Sequence, residues 1–114
     1  MGVDLTIIPD KYPNLRNEPL AYERFSFRGR NYDLWDALET EATALSTDLQ
    51  WYDDDGLKMI KTDPFNNSIT FVTTQRFLAL WKEFNDDLID YWDRAIIAFL
   101  RELPPDTRIF LYFH

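Results

Sequence analysis

The chain contains no cysteine, only three glycines, and a single histidine at the last of its 114 positions. Without cysteine, it has no disulfide framework, no thiolate zinc site and no cysteine nucleophile. One terminal histidine excludes a histidine-rich metal site and an interior Ser-His-Asp triad. No glycine-rich loop is present that could cradle a phosphate group. We therefore predict no cofactor, no metal and no catalytic residue.

Long hydrophobic runs and basic residues are also scarce. No stretch approaches about 18 uncharged apolar residues, so no membrane-spanning segment is predicted, and the opening MGVDLTIIPD is unlike a secretory signal peptide. The net charge is −8, divided into +1 over residues 1–30 and −9 over residues 31–114. Because an acidic surface repels nucleic acid and anionic lipid, we expect a cytoplasmic protein without a membrane partner, and we disfavour nucleic-acid binding.

The chain is rich in apolar and aromatic side chains. Apolar residues make up 46% of it and aromatic residues 17%, a composition that excludes intrinsic disorder. A chain of this length buries roughly two thirds of the surface that it exposes when unfolded, so it needs no metal or disulfide to fold. Neither a shift in composition nor a linker divides it, and we predict one domain over residues 1–114.

Apolar patterning predicts strands and helices that are interspersed along the chain. Strand-like segments lie at 3–8, 22–27, 57–62, 68–73 and 108–113, and 49–51 is either a short strand or a packed loop. Helical spacing predicts a helix over 31–45, one that begins at Thr73 or Thr74 and includes Phe84, and one that restarts at Asn85-Asp86-Asp87 and reaches Leu103. Asp-Pro and Asn-Asn turn signals separate 57–62 from 68–73, so we expect these two segments to form a hairpin.

The order of these elements predicts an α+β fold of two layers. A mixed, mostly antiparallel β-sheet is expected to carry about three helices on one face. Strands 3–8 and 108–113 should be neighbours, because both chain ends are apolar enough to need sheet partners. The expected core contains Ile7, Phe25, Leu34, Leu38, Phe71, Phe77, Trp81, Trp92, Ile96, Phe99 and Leu111.

The acidic run Asp53-Asp54-Asp55-Gly56 predicts a turn, because like charges are not buried together and Gly allows a positive φ. It also resembles part of a calcium loop. With Gly56 at position 6 of that loop, however, Trp51 and Thr62 occupy positions 1 and 12, where acidic ligands are required. The sequence leaves open a divalent-ion site of another kind.

Four aspartates at the start of the last predicted helix are one candidate for a binding surface. Asp86, Asp90 and Asp93 are spaced i, i+4 and i+7 on the side opposite the expected core, and Asp87 adds a fourth charge. A row of carboxylates can mimic the phosphates of a nucleic acid and occupy a DNA- or RNA-binding protein. The alternative is an ordinary solvated helix face. Replacing Asp90 and Asp93 by Asn should then change the stability by about 1 kcal/mol at most.

The surplus of aromatic residues is a second candidate. Tyr12 and Tyr52 are not required by the expected core, and we predict that they bind a partner, because Trp, Tyr and Arg dominate interaction hot spots. The segment 24–30 interleaves three arginines with two phenylalanines, a texture found on nucleic-acid surfaces. Alternation in a strand places the arginines on one face and the phenylalanines on the other, so a half-buried strand is the favoured interpretation.

The chain resembles a group of small bacterial, prophage and phage proteins without an assigned activity. The resemblance lies in the opening MGVDLTIIP, the middle segments WYDDDGLK and TDPFNNSITFV, and the close AFLRELPPDTRIFLYFH. Members of the group begin Met-x-[Val/Met]-Asp-Leu and end in Leu-Pro-Pro-x-Thr before an apolar Leu-Tyr strand. The similarity covers most of the chain, but its motifs are structural. It implies a phage-associated, intracellular setting.

These observations favour a non-enzymatic protein, of phage or prophage origin, that binds another macromolecule. One alternative is an acidic mimic of nucleic acid that inhibits a DNA- or RNA-binding host protein. A second is a small hydrolase or transferase built on carboxylates. A pocket lined by two or more buried acids would favour the enzyme, and a flat apolar patch would favour binding. The identity of the protein partner and self-association of the chain stay open.

Overall fold

A computed structural model describes residues 2–10, 20–21, 23–84 and 90–114. Within these ranges, helices and strands are interspersed along the chain as the sequence predicted, but the short strands at 20–21 and 43–44 were not predicted. The helices are α1 (Tyr32–Glu41), α2 (Thr74–Phe84) and α3 (Tyr91–Arg101). The strands are β1 (Leu5–Pro9), β2 (Leu20–Ala21), β3 (Phe25–Ser26), β4 (Thr43–Ala44), β5 (Leu49–Asp53), β6 (Gly56–Ile60), β7 (Thr70–Thr73) and β8 (Arg108–Phe113).

The strands form a large and a small sheet. In the large sheet the order is β3-β1-β8-β7-β4, and every neighbouring pair is antiparallel. Leu5 lies opposite Phe113 and Ile7 opposite Leu111, so the predicted pairing of the two chain ends is confirmed. In the small sheet the order is β2-β5-β6, with β2 parallel to β5. The predicted α+β class and the mostly antiparallel sheet are therefore confirmed.

Alternation along β1 and β8 gives the large sheet two apolar faces. Leu5, Ile7 and Leu111 pack on the helices, whereas Ile8 and Phe110 belong to a second cluster on the other face. The helices contribute Leu34, Trp35, Leu38, Phe77, Leu80, Trp81, Ile96, Ile97 and Leu100 to the first cluster. The small sheet covers part of the second face through Leu49, Trp51 and Ile60. It thus adds a third layer to the two that the sequence predicted.

The predicted hairpin between 57–62 and 68–73 is wrong. Strand β6 pairs with β5, and β7 pairs with β8 and β4, so a single bridge between Thr62 and Ser68 is what joins the two segments. The predicted turn at Asp53–Gly56 is confirmed, and it closes the β5–β6 hairpin with Gly56 at φ 108°. The segment 63–67 closes on itself instead, because the Asp63 carboxylate accepts hydrogen bonds from backbone amides within that segment.

Two predicted helices are shorter in the structure. The side chain of Asn31 caps α1 as predicted, but α1 ends at Glu41, because Thr43–Ala44 pairs with β7. Helix α3 begins at Tyr91, after Asp90 in an extended conformation. The predicted cap at Asn85-Asp86-Asp87 lies outside the described residues.

The predicted core is wrong at two aromatic positions. Trp92 and Phe99 are 42% and 39% exposed, and Phe25 and Phe71 are only partly buried. The other seven predicted core residues are buried. The reason is rotation of α3 about its axis, since the residues it buries are Asp93, Ile96, Ile97 and Leu100.

We expect Phe77→Ala to lower the free energy of unfolding by about 3–5 kcal/mol, because its ring is fully buried and stacks on Phe27 with the centroids 6.0 Å apart. Phe65→Ala removes the same atoms from a side chain that is 49% exposed, and it should change that free energy by no more than about 0.5 kcal/mol. Urea denaturation followed by circular dichroism measures both variants. Equal losses would contradict this assignment of the core.

An ion pair joins the end of α1 to the start of α2. The Arg76 guanidinium donates two hydrogen bonds to the Glu41 carboxylate. These bonds hold the pKa of Glu41 below its usual value. The stability that this pair contributes is therefore present above the pKa that Glu41 has in the unfolded chain, and it is lost as the pH falls through the pKa of the folded protein.

Replacing Arg76 by Gln should raise the pKa of Glu41 toward its usual value, because the positive charge and the guanidinium donors are removed and a shorter, neutral amide takes their place. A carbon-detected NMR titration of the Glu41 carboxyl group measures this change. Lys82→Gln, in the same helix, is the control that removes a charge and should leave the Glu41 titration in place. An unchanged Glu41 titration in Arg76→Gln would show that the ion pair does not form in solution.

Candidate functional site: the aromatic face of helix α3

A buried carboxylate fixes α3 against the loop between β3 and α1. Asp93 is 3% exposed, and its Oδ1 accepts a hydrogen bond from the Arg28 amide at 2.8 Å. Its Oδ2 accepts one from the Gly29 amide at 3.0 Å. A Cβ atom on residue 29 would lie 3.0 Å from the same Oδ2, so glycine allows this close approach. Both carboxylate oxygens are thus bound by successive backbone amides.

The side chain of Arg28 extends from this loop across the start of α3. Its guanidinium carbon lies 5.0 Å from the ring centroid of Trp92 and 5.2 Å from that of Tyr91, distances at which a cation is attracted to an aromatic face. The guanidinium also donates to the Tyr91 hydroxyl at 3.3 Å and lies 3.6 Å from the Asp90 carboxylate. Arg28 therefore joins the two aromatic side chains into one surface.

Strand β3 supplies the other side of this surface. The Trp92 indole donates a hydrogen bond to the Ser26 carbonyl at 3.1 Å, and the Phe25 ring lies 4.8 Å from the Phe99 ring. These contacts hold the aromatic side chains in place although they are partly solvent-exposed. We call the surface formed by Phe25, Arg28, Tyr91, Trp92 and Phe99 the aromatic face.

The rest of the outward surface of α3 consists mainly of alanine and arginine side chains. Ala95 and Ala98 are exposed and lie beside the aromatic face, because successive helical residues are rotated by about 100°. Arg94 and Arg101, one heptad apart, are exposed on the far flank of the helix. Helix α3 therefore presents Trp92 and Phe99 in an aromatic row, Ala95 and Ala98 in a row of small residues that begins at Tyr91, and Arg94 and Arg101 in a basic row.

The predicted acidic ridge is not formed as expected. Asp93 is buried, and Asp90 caps α3 by accepting a hydrogen bond from the Trp92 amide at 2.7 Å. Asp86 and Asp87 lie outside the described residues. This error has the same origin as the error in the core. The sequence pattern predicted that Trp92 and Phe99 face the core, and Asp93 was therefore predicted to face the solvent.

The other candidate residues lie elsewhere. Tyr12 is outside the described residues, and Tyr52 lies in β5 opposite Leu57, with its side chain outside the description. The three arginines of segment 24–30 diverge. Arg24 lies over the Trp51 ring and Arg30 binds Asp4, whereas Arg28 joins the aromatic face. A common basic surface is therefore not formed by these side chains.

Two further properties of the described residues bear on other functions. No group of three or more His, Asp or Glu side chains is placed to hold a metal ion within the ranges described. The side chain of Asp53, part of the acidic turn, lies outside this description. Of the helices in these same ranges, none has the length and apolar character needed to cross a membrane.

Sequence reasoning missed Trp92 and Phe99 as surface residues. Both recur at core-like spacing, so their own pattern carries no sign of exposure. The available signal was Asp93, which shares its helical face with Ile96, Ile97 and Leu100. An aspartate in such a row indicates either an outward face or a buried carboxylate with backbone partners, and the structure shows the second.

None of the family models, curated proteins or solved structures with which the chain was compared matches it. The resemblance to phage proteins stays a prediction. The function is therefore argued from the geometry of this chain.

Replacing Asp93 by Asn should lower the free energy of unfolding by about 1–3 kcal/mol, because one of the two acceptor oxygens becomes an amide donor that faces a backbone N–H. This expectation replaces the small effect that the sequence predicted. Asp36→Asn, at an exposed site on α1, is the matched control and should change that free energy by no more than about 0.5 kcal/mol. Urea denaturation measures both, and similar values for the two variants would contradict the role assigned to Asp93.

Proposed function

We propose that this protein is a non-enzymatic interaction protein that binds another protein through the outward surface of α3. The observation that carries the proposal is the exposure of three large aromatic side chains on one helix, with Tyr91 64% exposed beside Trp92 and Phe99. Trp, Tyr and Arg are the residue types that dominate interface energetics. Here they are held in position by Arg28 and β3, so little side-chain freedom is lost on binding.

The small residues of α3 favour close approach by a partner. Ala95 and Ala98 leave a shallow strip between the aromatic and basic rows, into which side chains of another helix or sheet can pack. Arg94 and Arg101 border the strip on a chain whose net charge is −8. The partner surface proposed here is therefore apolar at its centre and carries carboxylates along the side that meets the two arginines.

The buried acids support binding over the carboxylate-based hydrolase or transferase. Asp10 pairs with Arg108 at 2.7 Å, Asp63 binds amides of its own loop, and Asp93 binds the amides of Arg28 and Gly29. Each of these carboxylates has a structural partner, and the three lie in different parts of the fold. The burial of Asp93 also removes one charge from the surface that the nucleic-acid mimic requires.

The proposed setting is the cytoplasm of a bacterial host. This part of the proposal rests on the resemblance to phage and prophage proteins. The contacts of α3 support the binding surface independently of that origin.

The proposal predicts that Ala98→Glu weakens partner binding without loss of the fold, because a charge is placed at the centre of the contact while no core atom changes. Ala79→Glu is the matched control, since Ala79 is exposed on α2. A partner captured from bacterial lysate by the wild-type chain is identified by mass spectrometry, purified and titrated against the three proteins. We expect Ala98→Glu to weaken the affinity by about tenfold or more and Ala79→Glu to leave it unchanged.

Salt and self-association provide further tests. The association rate should fall as salt is added, because the two arginines attract the carboxylates of the partner. The assignment to α3 would be contradicted if Ala98→Glu and Ala79→Glu weakened binding equally. It would also be contradicted if neither variant weakened binding. Sedimentation of the chain alone is expected to show a monomer. If the chain were a dimer and Ala98→Glu dissociated it, the outward surface of α3 would bind a second copy of this chain. That result would overturn the proposal of a different partner.

A further inference from the structure

A second surface lies on the opposite face of the large sheet. The small sheet covers Ile8 and Phe110 on this face, and among the described residues none covers Thr6 in β1 or Tyr112 in β8 completely. The result is a pocket of about 470 Å³, within the range of sites that bind small molecules. It is lined by Thr6, Arg24, Ser26, Trp51, Pro64, Tyr112 and His114. Because α3 packs on the other face, this pocket is separate from the surface proposed above.

A chain of three hydrogen-bonding side chains crosses the floor of the pocket. The buried Thr6 hydroxyl lies 2.6 Å from the Ser26 Oγ and 2.8 Å from the His114 Nε2. Strand pairing brings them together, since Thr6 is opposite Ser26 and the backbones of Asp4 and His114 exchange two hydrogen bonds. The terminal histidine is therefore held by β1 and contributes to a polar cluster that the sequence did not indicate.

The single hydroxyl hydrogen of Thr6 couples the hydrogen bond to Ser26 with the hydrogen bond to His114. When Thr6 donates to Ser26, it must accept from an N–H at the His114 Nε2, and the Ser26 hydroxyl is then free to donate into the pocket. When Thr6 donates to the Nε2 instead, Ser26 donates to Thr6 and presents only lone pairs. An anion in the pocket selects the first arrangement, in which the His114 N–H donates to Thr6, Thr6 donates to Ser26, and the Ser26 hydroxyl donates to the anion.

The walls of the pocket are aromatic and basic. Tyr112 and Trp51 meet edge to face with their centroids 5.3 Å apart, and the Arg24 guanidinium lies 4.2 Å from the Trp51 centroid. None of the described lining side chains is an acid, although the chain as a whole carries a net charge of −8. The pocket thus combines two aromatic rings that meet edge to face with a cation and hydroxyl groups.

We propose that this pocket binds a small organic anion that carries a planar ring. The ring packs in the angle between the Trp51 and Tyr112 rings, beside the Arg24 guanidinium that lies over Trp51. The anionic group, a carboxylate or a phosphate, faces the Arg24 guanidinium and the Ser26 hydroxyl. This site is additional to the proposed function, and either can fail without the other.

Four probes separate the parts of this proposal. Phenyl phosphate and benzoate each combine a ring with an anion, benzamide keeps the ring without the charge, and inorganic phosphate keeps the charge without the ring. Each is titrated into the ¹⁵N-labelled protein while the Trp51 indole and His114 resonances are followed by NMR. We expect phenyl phosphate or benzoate to shift these resonances with an affinity about fivefold or more above that of benzamide and inorganic phosphate. Which of the two binds better distinguishes a phosphate from a carboxylate ligand.

Variants locate the binding in the pocket. Arg24→Gln removes the cation, and we expect it to weaken binding of the better probe by about fivefold or more. Lys82→Gln, on α2, removes the same charge elsewhere and should have no effect. Arg24→Lys keeps the charge without the planar group, and an intermediate affinity would confirm that both features contribute. The proposal is overturned if no probe shifts the two resonances, if benzamide binds as well as benzoate and phenyl phosphate, or if folded Arg24→Gln binds like the wild type.

Discussion

The two hydrogen bonds from the Arg28 and Gly29 amides to the Asp93 carboxylate set the orientation of α3. A buried carboxylate is costly unless its oxygens are satisfied, so α3 must present Asp93 to this loop. Once Asp93 faces inward, Ile96, Ile97 and Leu100 follow on the same face. Trp92 and Phe99 are then turned toward β3 and solvent. The surface that we assign to binding is thus a consequence of one polar contact in the core.

The β1–β8 pair positions both surfaces through a different constraint. Side chains alternate across a strand, so Ile7 and Leu111 belong to the helical core while Thr6 and Tyr112 face the other side. The small sheet is too narrow to cover that entire side. It buries the part near Ile8 and leaves Thr6, Tyr112 and His114 to line a pocket. The helices cover one apolar face of the large sheet and form the main core. The small sheet covers only part of the other face, where the pocket remains.

The sequence predicted those features that depend on local pattern. The strands at the two chain ends, the cap at Asn31 and the turn at Gly56 each follow from a few neighbouring residues, and each is confirmed. The hairpin was wrong because β6 pairs with the preceding strand β5 and β7 pairs with the distant strand β8, while the turn signals around Asp63 close a loop between them. The rotation of α3 was wrong because Trp92 and Phe99 look like core residues by spacing alone. The pocket was missed because strand pairing is what brings Thr6, Ser26 and His114 together.

Strand β3 connects the two surfaces. Its two residues point to opposite faces of the sheet, with Phe25 against Phe99 and the Ser26 hydroxyl against Thr6. Ser26 takes part in both, because its carbonyl accepts the Trp92 indole while its hydroxyl ends the hydrogen-bonded chain in the pocket. A displacement of β3 would therefore move a hydrogen-bonding group at each surface. Because any such coupling between two ligands is reciprocal, a pocket ligand that tightened partner binding would itself be bound more tightly in the complex.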